Sequence, residues 1–282
     1  MIEIQPPPTK VRRDSWAADL PPFPPIAIEA VRLLSIDEVP LKQLGDLLHA
    51  DQVFAARILR LANSPLMGFG YEIKSVVQAT TLLGAERIKS LVLTAGLRTY
   101  LARPLRLPAL RQCWRHSLAS AVIAGKLGLA ALIEEGFAYS AGLLHDIGRL
   151  ALMTSQSIGY AQFLETVEGN TEQALEQERE RFGINHCEAG QWLAESWKLP
   201  QAFGVVAALH HSWPRDDKFD IIALVRAACA LASTLGFAAV KPFFPTTVDD
   251  IMMGLPDMVR GRFSPYAGQL TLDVTRRVSS LE

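Results

Sequence analysis

A His-Asp doublet inside an apolar run constrains this chain more than any other feature. His145 and Asp146 lie in the segment AGLLHDIGRL, residues 141–150, and so both side chains are predicted to be buried. Moving an imidazole or a carboxylate out of water without a partner costs several kcal/mol. The chain must therefore fold so that other polar groups reach the doublet, through either a metal ion or a dense hydrogen-bond cluster.

The spacing of apolar residues predicts helices throughout the folded body. From Ile26 onward these residues recur mainly at steps of three and four, and we find no run with the alternation of a strand. Residues 1–25 instead contain seven prolines, which fix φ and remove backbone donors. We predict a proline-rich arm over residues 1–19, followed by an all-α fold.

Capping residues predict several helix ends. Ser, Asp and Asn side chains accept the unpaired backbone N–H groups of a first helical turn, and Gly favours the residue after the last turn. Asn185 with Glu188 forms a predicted capping box, which would place His186 and Cys187 in the first turn of a helix. The predicted N-caps are Asp51, Ser75 and Asn185, and the predicted C-caps are Gly84, Gly148 and Gly183.

The polar residues that could form a site are unevenly distributed. Residues 20–105 contain no plausible cluster, whereas nearly every candidate lies between His116 and Cys229. We therefore expect a two-lobed helical array, with a packing lobe over 20–105 and a site-bearing lobe over 106–215. Residues 216–282 are predicted to form C-terminal helices that pack on the second lobe.

Bulk properties limit the classes of partner. A formal charge of −1 opposes strong general attraction to nucleic acid or to an anionic membrane. No signal segment and no membrane-length apolar window is present, and three cysteines suit a reducing compartment. We expect a cytoplasmic protein that does not bind membranes.

Basic residues do cluster near one predicted helix start. We interpret this cluster as a solvated basic face, because no stacking platform or nucleic-acid-reading motif accompanies it. Nucleic acid is therefore not expected as a partner. The cluster consists of Arg98, Arg103, Arg106, Arg111 and Arg115.

The histidines suit a metal site shared between helices. A divalent ion in a helical pocket takes neutral imidazoles and carboxylates from several helices, because adjacent turns of one helix supply only two or three ligands. Five of the six histidines lie in the predicted second lobe, and His49, in the first lobe, is interpreted as structural. Whether the doublet holds a metal or only hydrogen bonds stays open at this point.

Two groups of residues resemble known families. The doublet resembles the HD superfamily, whose metal-dependent phosphohydrolases use a His, a His-Asp pair and a distal Asp as ligands. The segments at residues 51–64, 73–79 and 82–84 look like the signature of HDOD domains, a bacterial signalling branch of that superfamily. The resemblance covers residues 20–215 and implies an all-helical regulatory module that commonly lacks demonstrated catalysis.

The resemblance also supplies a candidate ligand set for a divalent metal such as zinc, iron, manganese or magnesium. Two carboxylates expected from the related HD-GYP phosphodiesterases are replaced, one by Gln112 and the distal Asp by Cys229. Loss of carboxylates weakens both metal occupancy and formation of the attacking water. The implied metal ligands are His116, His145, Asp146, His186, His210 and His211.

Two functions follow from this comparison. The first is an HDOD-type output or interaction module that contacts a signalling protein, with no catalytic residue. The alternative is a metal-dependent phosphohydrolase that acts on a nucleotide or a cyclic dinucleotide. The upstream signal, the partner and the oligomeric state are not predicted.

Overall fold

The computed structural model describes residues 20, 23–33, 43, 45–46, 51–63, 71–167, 170–212, 218–240 and 246–281. Every regular element in these ranges is helical, which confirms the all-α prediction. The predicted arm over residues 1–19, His49 and the helix stop at Ser64 and Pro65 lie outside the described residues. None of the described helices is long and apolar enough to cross a membrane.

The helices are numbered in chain order. A 3₁₀ turn (Pro104–Arg106) precedes α5, and a π turn (Ser233–Phe237) follows α12. The α-helices are α1 (Pro25–Leu33), α2 (Gln52–Ala62), α3 (Val76–Leu83), α4 (Ala85–Tyr100), α5 (Pro108–Ala131), α6 (Glu135–Leu144), α7 (Ile147–Ser155), α8 (Ser157–Thr166), α9 (Thr171–Phe182), α10 (His186–Ser196), α11 (Gln201–Leu209), α12 (Ile221–Ala232), α13 (Val248–Met253), α14 (Asp257–Ala267) and α15 (Leu270–Leu281).

Helix α5 forms the centre of the molecule. Pro108 starts it without cost, because the first N–H of a helix has no intrahelical partner. The helix packs against α6, α12, α14 and α15. Small residues permit the closest of these contacts: a Cβ at Gly142 of α6 would lie only 2.8 Å from the Ser120 carbonyl oxygen of α5. The long helix therefore fixes the relative positions of the surrounding elements.

Helix α4 holds together the N-terminal part of the fold and joins it to α6. It contacts α1, α2 and α3 on one side and α6 on the other. Phe23, just before α1, stacks on Trp197 at a ring separation of 4.2 Å. This contact joins the N-terminal part of the fold to the chain after α10. At the other end of the chain, Lys126 of α5 pairs with Asp273 of α15 at 2.8 Å. The exact limits of the lobes stay a prediction.

Most helix ends lie where the capping residues predict them. Asn185 accepts from the Glu188 backbone N–H, and the Glu188 side chain accepts from the Asn185 N–H, which confirms the capping box. Asp51 and Ser75 also cap their helices. Gly84 and Gly183 follow helix ends with φ of 78° and 79°, where glycine avoids the strain of a side chain.

The prediction for Gly148 is wrong, and the reason bears on the site. Gly148 lies in the first turn of α7 rather than after a helix. A Cβ there would lie 1.8 Å from the His186 carbonyl oxygen and 2.6 Å from the Gly190 backbone nitrogen. The glycine is needed because the backbones of α7 and α10 touch. That contact brings the start of α10, with His186, against the start of α7.

We predict that Gly148→Ala destabilises the fold by about 3 kcal/mol or more, because backbone atoms cannot move aside as a flexible side chain can. Chemical denaturation followed by circular dichroism measures the change. Gly261→Ala is the matched control, since no atom lies within 4 Å of a Cβ at Gly261 of α14. It should stabilise the protein by up to about 1 kcal/mol. Equal stability of the two variants would contradict the close contact.

Candidate metal centre

Helix ends deliver most of the candidate site. His145 follows the last residue of α6, Asp146 precedes the first residue of α7, His186 opens α10 and His210 follows α11. His116 alone comes from a helix interior, that of α5. Five separate helices thus meet at one buried point.

The Asp146 carboxylate lies at the centre of the imidazoles. Its Oδ1 atom is 3.4 Å from Nε2 of His210 and 3.5 Å from Nε2 of His186. Its Oδ2 atom is 3.6 Å from Nε2 of His145 and 3.9 Å from Nε2 of His116. All four imidazoles therefore present the same ring nitrogen to one carboxylate.

The other nitrogen of each imidazole is occupied by an acceptor. His186 Nδ1 donates to Glu178 Oε2 over 2.6 Å. Because a carbonyl or carboxylate oxygen can only accept, each Nδ1 carries the hydrogen, and in the neutral ring Nε2 keeps its lone pair. The other three Nδ1 atoms donate to carbonyl oxygens, His116 to Phe237 (2.8 Å), His145 to Gly142 (2.7 Å) and His210 to Ala207 (2.9 Å).

A second layer of buried polar groups supports the first. Arg149 donates through Nε to Asp146 Oδ2 over 3.1 Å and through a terminal nitrogen to Glu178 Oε1 over 3.2 Å. Tyr160 donates to the same Glu178 oxygen over 2.7 Å. Glu178 therefore orients His186 with one oxygen and Arg149 with the other.

Burial and charge set the protonation states. Burial lowers the pKa of His145 to about 3, and it also lowers the pKa values of His116 and His186. Burial alone would raise the pKa of Asp146, but Arg149 and the surrounding imidazoles outweigh it and hold that pKa well below its ordinary value. At neutral pH the ionised Asp146 carboxylate therefore faces the neutral imidazoles of His116, His145 and His186.

These groups fit a divalent cation. In the described residues, Nε2 of His145, His186 and His210 and Oδ1 of Asp146 are buried without a hydrogen-bond partner. Such orphaned atoms are rare because each loses its water without compensation. Asp146 Oδ1 lies 3.4 Å from His210 Nε2 and 3.5 Å from His186 Nε2, which agrees with the roughly 3.4 Å expected between ligand atoms bound about 2.1 Å from a tetrahedral ion.

The buried charges give the same result. Asp146 and Glu178 are two buried carboxylates, and Arg149 is the one guanidinium buried among the described residues. With neutral imidazoles this leaves a net charge of −1. An uncompensated charge in a low-dielectric interior is costly. A cation at the orphaned atoms would compensate it.

The six predicted ligands and Cys229 form two adjoining groups of side chains. The first contains Asp146, His186, His210 and His211, and the second contains His116, His145 and Cys229. His211 is only half-buried, with its ring centre 4.0 Å from that of His210. All six residues predicted as metal ligands are therefore brought together, although metal binding itself stays a prediction.

Both departures from the carboxylate pattern are visible in the structure. Cys229 Sγ lies 3.4 Å from His116 Nε2, so a thiol occupies the place where the comparison expects an Asp. The Gln112 amide donates to the carbonyl oxygens of Gly236 and Ala238, at 3.5 and 3.2 Å. Gln112 thus joins α5 to the end of the π turn and to the residue that follows it.

Comparison with known proteins identifies the family of this chain. Residues 20–213 match the model of the HDOD domain family. The chain belongs to the HDOD domain family. This confirms the resemblance inferred from the three segments between residues 51 and 84 and from the His-Asp doublet.

Individual relatives of this HDOD protein agree on the fold. An HDOD domain protein of unknown function from Geobacter sulfurreducens matches with a TM-score of 0.76 at 23% identity, over 96% of this chain and 97% of its own. A second solved structure, that of a protein from Marinobacter aquaeolei VT8, is described as a signal transduction protein. It matches with a TM-score of 0.70 at 21% identity, over 93% of this chain and 60% of its own.

A curated relative is longer. An uncharacterized protein from Treponema pallidum (strain Nichols) is 24% identical over 217 residues, which make up 76% of this chain and 42% of the relative. This HDOD chain therefore spans less than half the length of that protein.

Sequence reasoning missed the second layer of the HDOD site. Arg149 carried a signal, because an arginine three residues after Asp146 in an apolar run needs a buried partner. Glu178 and Tyr160 carried none. Helix α9 is rich in acidic residues, and only the fold shows that Glu178 is the one of them that is buried, beside His186.

We predict that Glu178→Gln destabilises the HDOD fold by about 3 kcal/mol, because an amide has one acceptor oxygen where the carboxylate has two, so that either His186 or the pair of Arg149 and Tyr160 loses its acceptor. Urea denaturation measures the change. Glu176→Gln, two residues away, is the control: Glu176 pairs with Arg179 at the surface, and its loss should cost less than about 1 kcal/mol. Similar costs for both variants would show that the buried network contributes nothing specific.

Proposed function

We propose that this protein is a regulatory HDOD module that acts by contacting a signalling protein, without catalysis. The observation that carries the proposal is the composition of the candidate metal centre, in which Asp146 is the one carboxylate among the ligand atoms that converge. Membership of the HDOD family and the name of the Marinobacter neighbour support a role in signal transduction.

The chemistry of the site argues against hydrolysis. Metal-assisted cleavage of a phosphodiester uses carboxylates to bridge ions and to orient the attacking water. Here a thiol stands beside His116, and burial raises the pKa of Cys229 to about 12, so that the thiol is neutral near pH 7. Gln112 is engaged with backbone carbonyl groups. The groups that would activate water are therefore missing.

The burial of the site points in the same direction. His116, His145, Asp146, His186 and His210 are each at most 3% exposed. A metal site that catalyses keeps a coordination position open to substrate, whereas a structural site is closed by protein ligands. Of the site residues in the described part of the chain, His211 and Cys229 are half-buried and lie nearest the surface.

In this proposal a divalent ion has a structural role. Asp146, His145, His186 and His210 would hold it, with His116, His211 and Cys229 at the margin of the set. The bound ion would supply the positive charge that the buried carboxylates lack, and its ligands would join α6, α7, α10 and α11. A set dominated by imidazole suits zinc or iron better than manganese or magnesium.

The alternative is a metal-dependent phosphohydrolase acting on a nucleotide or a cyclic dinucleotide. The six predicted ligands, five imidazoles and one carboxylate, do converge. This convergence favours the phosphohydrolase. It differs from the first in requiring turnover and an accessible open position.

Assays of a generic phosphodiester separate the two functions. Protein purified without chelator is assayed with zinc, iron, manganese or magnesium added, beside Asp146→Asn. We expect the rates of the two proteins to be the same and equal to the background rate, because the water-activating carboxylates are missing. Metal-dependent turnover that Asp146→Asn abolishes would establish the phosphohydrolase instead.

Metal content is predicted separately. We expect wild-type protein to retain about one divalent ion per chain by elemental analysis, and Asp146→Asn to lose most of it because the substitution removes the one anionic ligand. Asp249→Asn, at an exposed position of α13, is the control and should retain the ion. Circular dichroism of all three proteins shows whether the variants are folded. A metal-free wild type would leave the cluster as a hydrogen-bonded core.

The regulatory function has its own test. A partner recovered with the tagged protein from the producing organism is purified and recombined with the purified HDOD protein, and complex formation is measured by calorimetry. A stoichiometric complex that alters the partner's activity supports the proposal. A partner whose activity never changes when the complex forms would contradict it.

A further inference from the structure

A cavity of about 390 Å³ lies next to α5, away from the histidines, and no function considered so far uses it. It is formed by the C-terminal part of α4, the 3₁₀ turn and the first turns of α5. We call it the arginine pocket, and its lining residues are Arg98, Ala102, Leu105, Arg106, Arg111 and Trp114.

The charge around the arginine pocket is strongly one-sided. Its lining contains three arginines and no acidic residue, although the overall formal charge of the chain is −1. Arg106 and Arg111 are exposed, and within the described part of the chain neither has an ion-pair partner. Like charges that line one pocket repel each other unless an anion neutralises them.

One hydrogen bond ties the exposed Arg111 side chain to the pocket lining. Arg111 donates through Nε to the Leu105 carbonyl oxygen over 3.2 Å, which directs its head group to the pocket wall. Guanidinium groups present a planar fork of donors that matches the oxygens of a phosphate. A fixed fork loses less entropy on binding than a mobile side chain.

Trp114 supplies an independent observation. The residue is 1% exposed, and its indole Nε1 has no hydrogen-bond partner among the described residues. A buried N–H donor without an acceptor is costly. An acceptor atom on a ligand in the pocket would satisfy it.

We propose that the arginine pocket binds a small organic phosphate of about the size of a nucleoside monophosphate. The arginines would receive the phosphate, and Ala102, Leu105 and the Trp114 ring would receive the organic part. The volume lies within the roughly 300 to 1,000 Å³ of small-molecule sites and exceeds the need of a bare anion. A concave pocket of this size fits a small ligand better than the extended backbone of a nucleic acid.

The pocket has a position suited to regulation. It joins α4, which belongs to the predicted N-terminal lobe, to α5, and Trp114 is two residues before His116. The binding proposal does not depend on the proposed regulatory function or on metal at the histidines.

Isothermal titration of the full chain tests the pocket. The probes are inorganic phosphate, a panel of organic monophosphates that starts with AMP, adenosine as the uncharged reference, and a short single-stranded oligonucleotide. We expect a monophosphate of the panel to bind at least about tenfold more tightly than inorganic phosphate, and adenosine not to bind. Failure of the whole panel would overturn the proposal, as would tighter binding of the oligonucleotide than of any monophosphate.

Variants locate the binding. Arg106→Gln with Arg111→Gln should weaken the bound monophosphate by more than about tenfold, because charged hydrogen bonds to phosphate are lost. Trp114→Phe keeps the ring but removes the N–H, and should weaken it by about threefold or more. Arg262→Gln with Arg276→Gln removes the same charge from exposed positions of α14 and α15 and is the control. Equal affinity in the arginine-pocket and control variants would place the ligand elsewhere and overturn the proposal.

Discussion

The interior of this protein is organised around one buried carboxylate. Asp146 needs a cation nearby, and Arg149 supplies it from the same first turn of α7, at 3.1 Å. Arg149 then needs a further carboxylate, which Glu178 provides, and Glu178 in turn orients His186. Each buried group is thus made tolerable by the next. The net charge of this chain of contacts remains negative. A cation bound at the imidazole nitrogens would neutralise it.

The backbone had to accommodate that arrangement. Asp146 and His186 can face each other only if the starts of α7 and α10 touch, and Gly148 removes the one side chain that would prevent it. Helix ends also orient the imidazoles. At a C-terminus the carbonyl oxygens of the last turn accept from Nδ1, as Gly142 does for His145. Free carbonyls of a helix end orient the ring and leave Nε2 for the site.

The residue pattern was sufficient for the fold class, and the family resemblance named the histidines that the fold brings together with Asp146. Apolar spacing and capping boxes are local signals, so the start of α10 at His186 could be placed from Asn185 and Glu188 alone. Gly148 was misjudged because a glycine that permits helix contact looks the same in sequence as one that ends a helix. Glu178 and Tyr160 were missed because their burial depends on contacts between α8, α9 and α10, which no local pattern encodes.

The two replaced carboxylates have different physical consequences. Gln112 contributes a new contact: its amide donates to the carbonyl oxygens of Gly236 and Ala238, and the Phe237 carbonyl oxygen between them orients His116. Cys229 removes a charge instead, because a thiol with a pKa raised by burial is neutral where an Asp would be ionised. One substitution thus strengthens the frame around His116, while the other lowers the anionic charge of the ligand set. Under the proposed function, such a site keeps groups that would hold a cation and lacks carboxylates that would orient an attacking water.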